Sequence, residues 1–284
     1  KIEFRFDGID LVSNEIFLAN NPLTTPPIEI VKQGRQSVID WFRAKKKVLQ
    51  EVKIILVGEG SAGKTSLLKR LKDNSYKDGE VPTDGINIES IAFGKTNTFS
   101  KQTEIHELTG HFWDFGGQEI MSATHQFFLT KRSLYILVDD TRKDDKTIND
   151  TSFRYWLEIV DLFGGDSPLL IVQNEKGDRS KDLDLNGMKA RYGEMIKGRF
   201  AANLQTNRGL EDIKKEIIRQ VQQLPHVGHT LPKKWAAVRS TLMALEQKGK
   251  HYISLEQFYV VCEQHGMPDR KRVLWLSRYL HDLG

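Results

Sequence analysis

Gly58-Glu59-Gly60-Ser61-Ala62-Gly63-Lys64-Thr65 follows directly on the apolar run Val52-Lys53-Ile54-Ile55-Leu56-Val57, and no other feature of the chain narrows its possible folds so far. The apolar run reads as a buried strand, and Ser66-Leu67-Leu68-Lys69-Arg70-Leu71 after the glycines reads as the start of a helix. Strand, glycine-rich turn and helix in that order are the setting of a phosphate-binding loop. The glycines let backbone N–H groups turn inward around polyphosphate oxygens, and the helix N-terminus adds partial positive charge. The residues expected at the phosphates are therefore Gly58, Glu59, Gly60, Ser61, Ala62, Gly63, Lys64, Thr65 and Ser66. Lys64 would reach the outer phosphates, and the Thr65 hydroxyl is a hard oxygen ligand suited to Mg²⁺.

Downstream, strand-like and helix-like segments alternate. Ile86–Ile91, His111–Trp113, Leu134–Val138, Leu169–Val172 and a short Ala201–Leu204 read as strands. Amphipathic helices are expected at about Phe153 to Phe163 and along Leu210, Ile213, Ile217, Val221 and Leu224. This alternation predicts an α/β fold with a mainly parallel sheet covered on both sides, and ligands in such sheets sit beyond the carboxyl ends of the strands. Before this zone, Ile16-Phe17-Leu18-Ala19-Asn20-Asn21-Pro22-Leu23 looks like the end of a leucine-rich repeat, and a helix carrying Val38, Ile39, Trp41 and Phe42 is expected after Pro26-Pro27. After it, helices are expected around Trp235, Val238, Leu242 and Leu245, from a Ser254 cap with Gln257, and around Val273-Leu274-Trp275-Leu276. The boundaries drawn from these shifts are 1–49, 50–225 and 226–284.

A second constellation, Trp113-Asp114-Phe115-Gly116-Gly117-Gln118-Glu119, ends an apolar strand. An aspartate there can hold Mg²⁺ through a water, Gly117 can offer its N–H to a γ-phosphate, and Gln118 can orient an attacking water. Thr83, in Pro82-Thr83-Asp84-Gly85-Ile86, stands just before a strand where it could bond Mg²⁺ beside a γ-phosphate. The metal set expected is thus Thr65, Thr83 and Asp114, and the catalytic set Gln118, Lys64 and Thr83.

The net charge of +4 comes from 42 cations dispersed among 38 anions, which argues against a nucleic-acid-binding stripe. The single cysteine, Cys262, excludes an intrachain disulfide and fits the reducing cytoplasm. No apolar stretch approaches the length of a membrane span. The first residue is Lys1 and the last residues follow a helical pattern, so the chain is read as part of something longer.

Taken together, the phosphate loop, the block Phe112-Trp113-Asp114-Phe115-Gly116-Gly117-Gln118-Glu119-Ile120, His125-Gln126-Phe127-Phe128, Asn21-Pro22-Leu23-Thr24 and Leu231-Pro232-Lys233-Lys234-Trp235 resemble the Roco family. In that family a Ras-like GTPase domain, Roc, follows leucine-rich repeats and precedes a COR domain that mediates dimerisation. The resemblance implies GTP and GDP as ligands with Mg²⁺, hydrolysis of GTP, and a homodimer in the full-length protein. Guanine recognition in Ras-like proteins uses Asn-Lys-x-Asp, whereas this chain has Gln173-Asn174-Glu175-Lys176-Gly177-Asp178. With Asn174 in register Asp178 is one residue late, and with Asp178 in register Glu175 replaces the asparagine. The first alignment is preferred because Asn174 follows a strand directly, and Lys176 and Asp178 then reach the base only if the loop bulges. Gln205, in Asn203-Leu204-Gln205, stands where the family often has a lysine. Arg132 and Arg142 are the arginines considered for transition-state charge. Two other readings remain open at this point: a P-loop ATPase, and a nucleotide-binding dimerisation scaffold with negligible turnover.

Overall fold

The structure, a computed structural model, describes residues 3–5, 15–17, 26, 28–96, 106–116, 127–141, 151–178, 183–228, 230–250 and 252–283. In chain order the elements are β1 (Glu3–Arg5), β2 (Glu15–Phe17), α1 (Ile28–Val31), α2 (Arg35–Arg43), β3 (Lys46–Val48), β4 (Glu51–Val57), α3 (Lys64–Asp73), β5 (Ile86–Thr96) and β6 (His106–Phe115). They continue as β7 (Ser133–Asp140), α4 (Thr151–Gly164), β8 (Leu169–Asn174), α5 (Leu185–Tyr192), β9 (Ile196–Ala202), α6 (Leu210–Gln223), β10 (Thr230–Pro232), α7 (Lys233–Gln247), α8 (Leu255–Gln264) and α9 (Arg270–Leu283).

The chain divides into two compact units, one of residues 50–227 with 282–284 and the other of residues 1–49 with 228–281. The first unit is built on a six-stranded sheet in the order β5-β6-β4-β7-β8-β9. Every neighbouring pair is parallel except β5 with β6. Alternate residues of β4 serve opposite faces, as the two-residue period of a strand requires. Val52, Ile54 and Leu56 pack with Leu67, Leu68 and Leu71 of α3 and with Ile213, Ile217 and Val221 of α6. Ile55 and Val57 pack with Phe153, Trp156, Leu157 and Val160 of α4 and with Met188 of α5. Burial on both faces is why the central strands read as almost continuous apolar runs, and it realises the mainly parallel α/β architecture expected from the sequence.

The antiparallel edge is fastened by polar groups as well. Ser90 Oγ lies 2.8 Å from His111 Nδ1, and His111 Nε2 lies 3.1 Å from Glu51 Oε2, one side chain from each of β5, β6 and β4. After β4 the chain crosses to one side to make β6 and later to the other to make β7, so the order reverses beside β4. That reversal opens a crevice at the carboxyl ends of β4 and β7, where ligands of open α/β sheets bind.

In the second unit the chain arriving as β3 pairs antiparallel with the chain leaving as β10, Lys46 opposite Pro232 and Val48 opposite Thr230. Gly228 N–H donates to the Leu49 carbonyl at 2.9 Å and Lys233 N–H to the Lys45 carbonyl at 2.8 Å, extending the same closure. The helix expected after the prolines is interrupted: α1 and α2 are separated by Gly34 at φ +91°, a left-handed value that an L side chain resists. The Ser254 cap of α8 is reciprocal, with Ser254 Oγ accepting from Gln257 N–H and Gln257 Oε1 accepting from Ser254 N–H. Trp235 of α7 packs on Tyr279 of α9 with ring centroids 5.2 Å apart. The repeat-like segment at Asn20–Thr24 lies outside the described residues. Among the described residues no helix is long and apolar enough to cross a membrane.

Candidate functional site

The glycine-rich turn leaves β4 at the crevice, and its geometry explains its composition. Gly58 has φ +135°, and a Cβ there would lie 2.3 Å from the Val138 carbonyl oxygen of β7. Gly63, at φ +108°, has Asn174 Nδ2 2.4 Å from the place of a Cβ. Between them Ser61 also takes a positive φ of 62°. Lys64, the first residue of α3, is buried and arches back over the turn, donating to the carbonyls of Gly58 at 2.9 Å and Glu59 at 2.8 Å. Burial lowers its pKa to about 8, with the negative charges of Asp114 and Glu59 pulling the other way.

Three oxygen-bearing side chains from three separate segments meet next to Lys64. Thr65 Oγ1 donates to Asp114 Oδ2 at 2.6 Å and lies 2.9 Å from Thr83 Oγ1, which is itself 3.3 Å from Asp114 Oδ2. Asp114 is fully buried near the end of β6, and among the described residues its Oδ1 has no hydrogen-bond partner. Desolvation raises its pKa, against the opposing pull of Thr65, Lys64 and Thr83. Two hydroxyls and a carboxylate with an unsatisfied oxygen form a hard donor set, and this fits Mg²⁺ with several retained waters. Among the described residues no group of three or more His, Cys, Asp or Glu side chains is gathered for a metal, so a site here draws on hydroxyls.

Lys64, Thr65 and Thr83 line a cavity of about 560 Å³, together with Ser61, Tyr76 and Lys176. That size lies within the range of small-molecule sites, roughly 300–1,000 Å³. Tyr76, Lys77 and Asp78 on its wall escaped sequence reasoning, because the segment between α3 and β5 has no periodic pattern. Tyr76 also packs against the core and carries the Arg70 guanidinium 5.1 Å from its ring centre. Lys69 holds this segment from the helix side through Glu80 at 2.7 Å.

Asn174 ends β8 fully buried, and its Nδ2 donates to the Ala62 carbonyl of the glycine turn at 3.0 Å. In this position the asparagine braces the loop. Lys176–Asp178 form a single tight turn with Gly177 at φ 67°, and Lys176 lines the cavity. Beside it, Asn203 Oδ1 accepts from the N–H groups of Gln205 and Thr206 at 3.0 Å each, and Arg70 donates to the carbonyls of Leu204 at 2.7 Å and Gln205 at 2.8 Å. Asn203 and Leu204 thus belong to this turn, β9 having ended at Ala202.

Gly117, Gln118 and Arg142 lie outside the described residues, as does the Asp178 side chain. Arg132 does not serve the site in cis. It precedes Ser133, which pairs with Lys53 at the amino end of the parallel strands, whereas the phosphate loop leaves the carboxyl end after Val57. At about 3.3 Å per residue the intervening strand separates them by roughly 16 Å.

The family model described as Ras of Complex, Roc, domain of DAPkinase matches residues 53–177, which span β4 through the turn after β8. The Roco2 RocCORdC structure of Methanosarcina barkeri, bound to GDP, is 39% identical, with a TM-score of 0.72 over 85% of this chain and 69% of that one. A probable serine/threonine-protein kinase, pats1, of Dictyostelium discoideum is 27% identical over 96% of this chain, and a Roc-COR-CHAT protease of Runella zeae is 28% identical over 82% of it. This chain spans 9% of the length of the first and 26% of the second. A Roc match placed on the phosphate loop, with a solved Roco relative extending over most of both chains, identifies this chain as a member of the Roco family.

Proposed function

We propose that the chain is a guanine-nucleotide switch that hydrolyses GTP to GDP and phosphate inside a larger Roco protein. The observation that carries this reading is the meeting of Thr65, Thr83 and Asp114 within 2.6–3.3 Å beside Lys64. Thr65 lies in the first turn of α3, Thr83 belongs to the segment before β5 and Asp114 to β6, so a ligand bridging all three would hold together segments far apart in sequence. The GDP found in the M. barkeri relative supports the choice of nucleotide.

Each residue then has a distinct task. Lys64, released from the two carbonyls it holds, neutralises phosphate charge, and the N–H groups of the turn cradle the phosphate oxygens. Thr65 and Thr83 would offer hydroxyl oxygens to the cation, and Asp114 its carboxylate. Mg²⁺, when bound, offsets the charge of the phosphates. Asn174 keeps the glycine turn in shape, Lys176 and Asp178 are the residues assigned to the base, and Tyr76 walls the cavity. Gln118 orients the attacking water and Gly117 senses the γ-phosphate, so phosphoryl transfer proceeds through positioning and charge stabilisation.

Residues 50–225 constitute the Roc domain in this reading, 226–284 the start of COR and 1–49 the end of leucine-rich repeats with a linker helix. The full-length protein is a cytoplasmic homodimer, with COR as the main dimer contact. Nucleotide released from the purified chain by denaturation tests the reading directly, followed by single-turnover GTP hydrolysis. Adenine nucleotide in the supernatant, or GTP that persists unhydrolysed in the presence of Mg²⁺, would overturn it.

A further inference from the structure

The base-recognition turn contains one residue more than Asn-Lys-x-Asp, and the structure shows where that residue goes. Asn174 is held on Ala62. Its carbonyl accepts from Thr141 N–H at 3.4 Å and Thr141 Oγ1 at 3.2 Å. The next residue, Glu175, donates its N–H to the Ala202 carbonyl at the end of β9 at 2.7 Å. Its carboxylate is withdrawn from the cavity into a nearly closed position, 8% exposed, and accepts from Arg208 Nη2 at 2.5 Å. Lys176 then lines the cavity, and the chain turns at Gly177.

Arg208 is well placed to hold that carboxylate still. Its carbonyl accepts from Asn203 N–H at 3.0 Å, closing the loop after β9. Gly209 follows at φ +80°, where a Cβ would meet the Ala201 carbonyl oxygen at 2.4 Å, so the backbone at Arg208 has little room to shift. Arg70 fixes the far side of the same loop through two carbonyls.

We infer that Arg208 is a positioning residue for base selectivity: by pinning Glu175 it loops the extra residue out and lets Lys176, Gly177 and Asp178 act in the place of a shorter motif. The inference rests on the guanine-nucleotide reading above. A carboxylate this enclosed needs its cation, and without it moves outward to water, carrying the following turn with it. Phosphate binding is made by other residues and should not respond.

The test is titration of the chain and its variants with GDP, IDP, ADP and inorganic pyrophosphate. IDP lacks the 2-amino group that an aspartate would recognise. In Arg208→Gln, GDP affinity should fall about tenfold, the scale of a lost hydrogen bond to a charged group, and the preference for GDP over both IDP and ADP should shrink with it. Pyrophosphate affinity should stay at the parent value, and Arg208→Lys should recover most of the GDP preference. Glu175→Gln, which keeps shape and removes charge, should move selectivity in the same direction and decides the matter should Arg208→Gln not fold. A parent that discriminates alongside variants that discriminate equally, or an equal loss for GDP and pyrophosphate, overturns this inference alone. A parent that binds ADP as tightly as GDP overturns the guanine reading and this inference with it.

Discussion

Replacing Thr65 by valine keeps the shape of the side chain and removes the hydroxyl through which α3, the segment before β5 and the end of β6 are joined. In the parent this hydroxyl donates to Asp114 Oδ2 at 2.6 Å, and the other hydroxyl at that oxygen, from Thr83, stands at 3.3 Å. Asp114 is fully buried and, among the described residues, its second oxygen has no partner, so the variant leaves a buried carboxylate with a long contact to Thr83 and the charge of Lys64. A hydrogen bond to a charged group contributes about 1.5–3 kcal/mol. For a unit of this size a loss of about 2 kcal/mol lowers the melting temperature by roughly 4–8 °C. The deficit should depend on pH in a set direction. Burial already raises the Asp114 pKa from its ordinary 3.8, and removing Thr65, its strongest opposing partner, raises it further. A carboxyl raised in the folded state contributes stability that is complete below its unfolded value and is lost as pH rises through the folded one. The difference between parent and variant should therefore be largest at neutral pH and shrink as pH falls toward 3.8. Nucleotide binding supplies an independent reading: GDP affinity should fall about tenfold or more with Mg²⁺ and change little in EDTA. Equal melting temperatures at neutral pH, or equal losses with and without Mg²⁺, would refute the assignment of Thr65 to both roles.

Further outcomes follow from neighbouring residues. Because burial lowers the Lys64 pKa to about 8, the group is charged at pH 7 and mostly neutral by pH 9, so nucleotide affinity should fall about tenfold over that interval. Lys64→Ala should bind weakly with no such slope, and a parallel fall in both proteins would assign the titration elsewhere. Gly58→Ala should cost at least about 2 kcal/mol in urea denaturation, since its Cβ would meet backbone at 2.3 Å, whereas Gly79→Ala, at φ +68° in open space, should cost about 1 kcal/mol. Gln118→Leu should slow single-turnover hydrolysis about tenfold or more while leaving GDP affinity intact. A parental rate in that variant removes the glutamine from the mechanism.

Much of the central unit was legible because burial on both faces leaves a plain mark on sequence. The runs of β4, β7 and β8 are buried throughout or nearly so, and short apolar runs followed by turn residues located them. Where burial is one-sided the mark fades. β9, at the edge of the sheet, begins at Ile196 and continues through the half-buried Lys197, Gly198 and Arg199, so only its last residues read as strand. An edge strand tolerates such residues because one flank meets no neighbour. α5 buries only Met188 among its own residues and leaves no apolar stripe to detect. Arg132 shows a different blindness: distance along the chain does not reveal which end of a sheet a residue occupies, whereas the Lys53–Ser133 pairing does.

The base-recognition turn marks the point at which sequence pattern alone loses its grip. Two alignments of Gln173-Asn174-Glu175-Lys176-Gly177-Asp178 satisfy the spacing about equally, because a motif counts residues and cannot count which of them are looped out. The turn is held in place by partners remote in sequence: Ala62 for Asn174, Ala202 for the Glu175 backbone and Arg208 for its carboxylate. None belongs to the motif: Ala62 lies in the glycine-rich turn after β4, Ala202 ends β9 and Arg208 lies in the loop that follows it. An inserted residue with such anchors need not displace the residues after it. A chain with the same six residues but without a cation at position 208 would have no comparable hold on Glu175, and its turn would be free to shift by one. If Arg208 positions this turn as proposed, base selectivity is a property of the pair of loops beyond β8 and β9, and substitutions in the second loop should alter it as strongly as substitutions in the first.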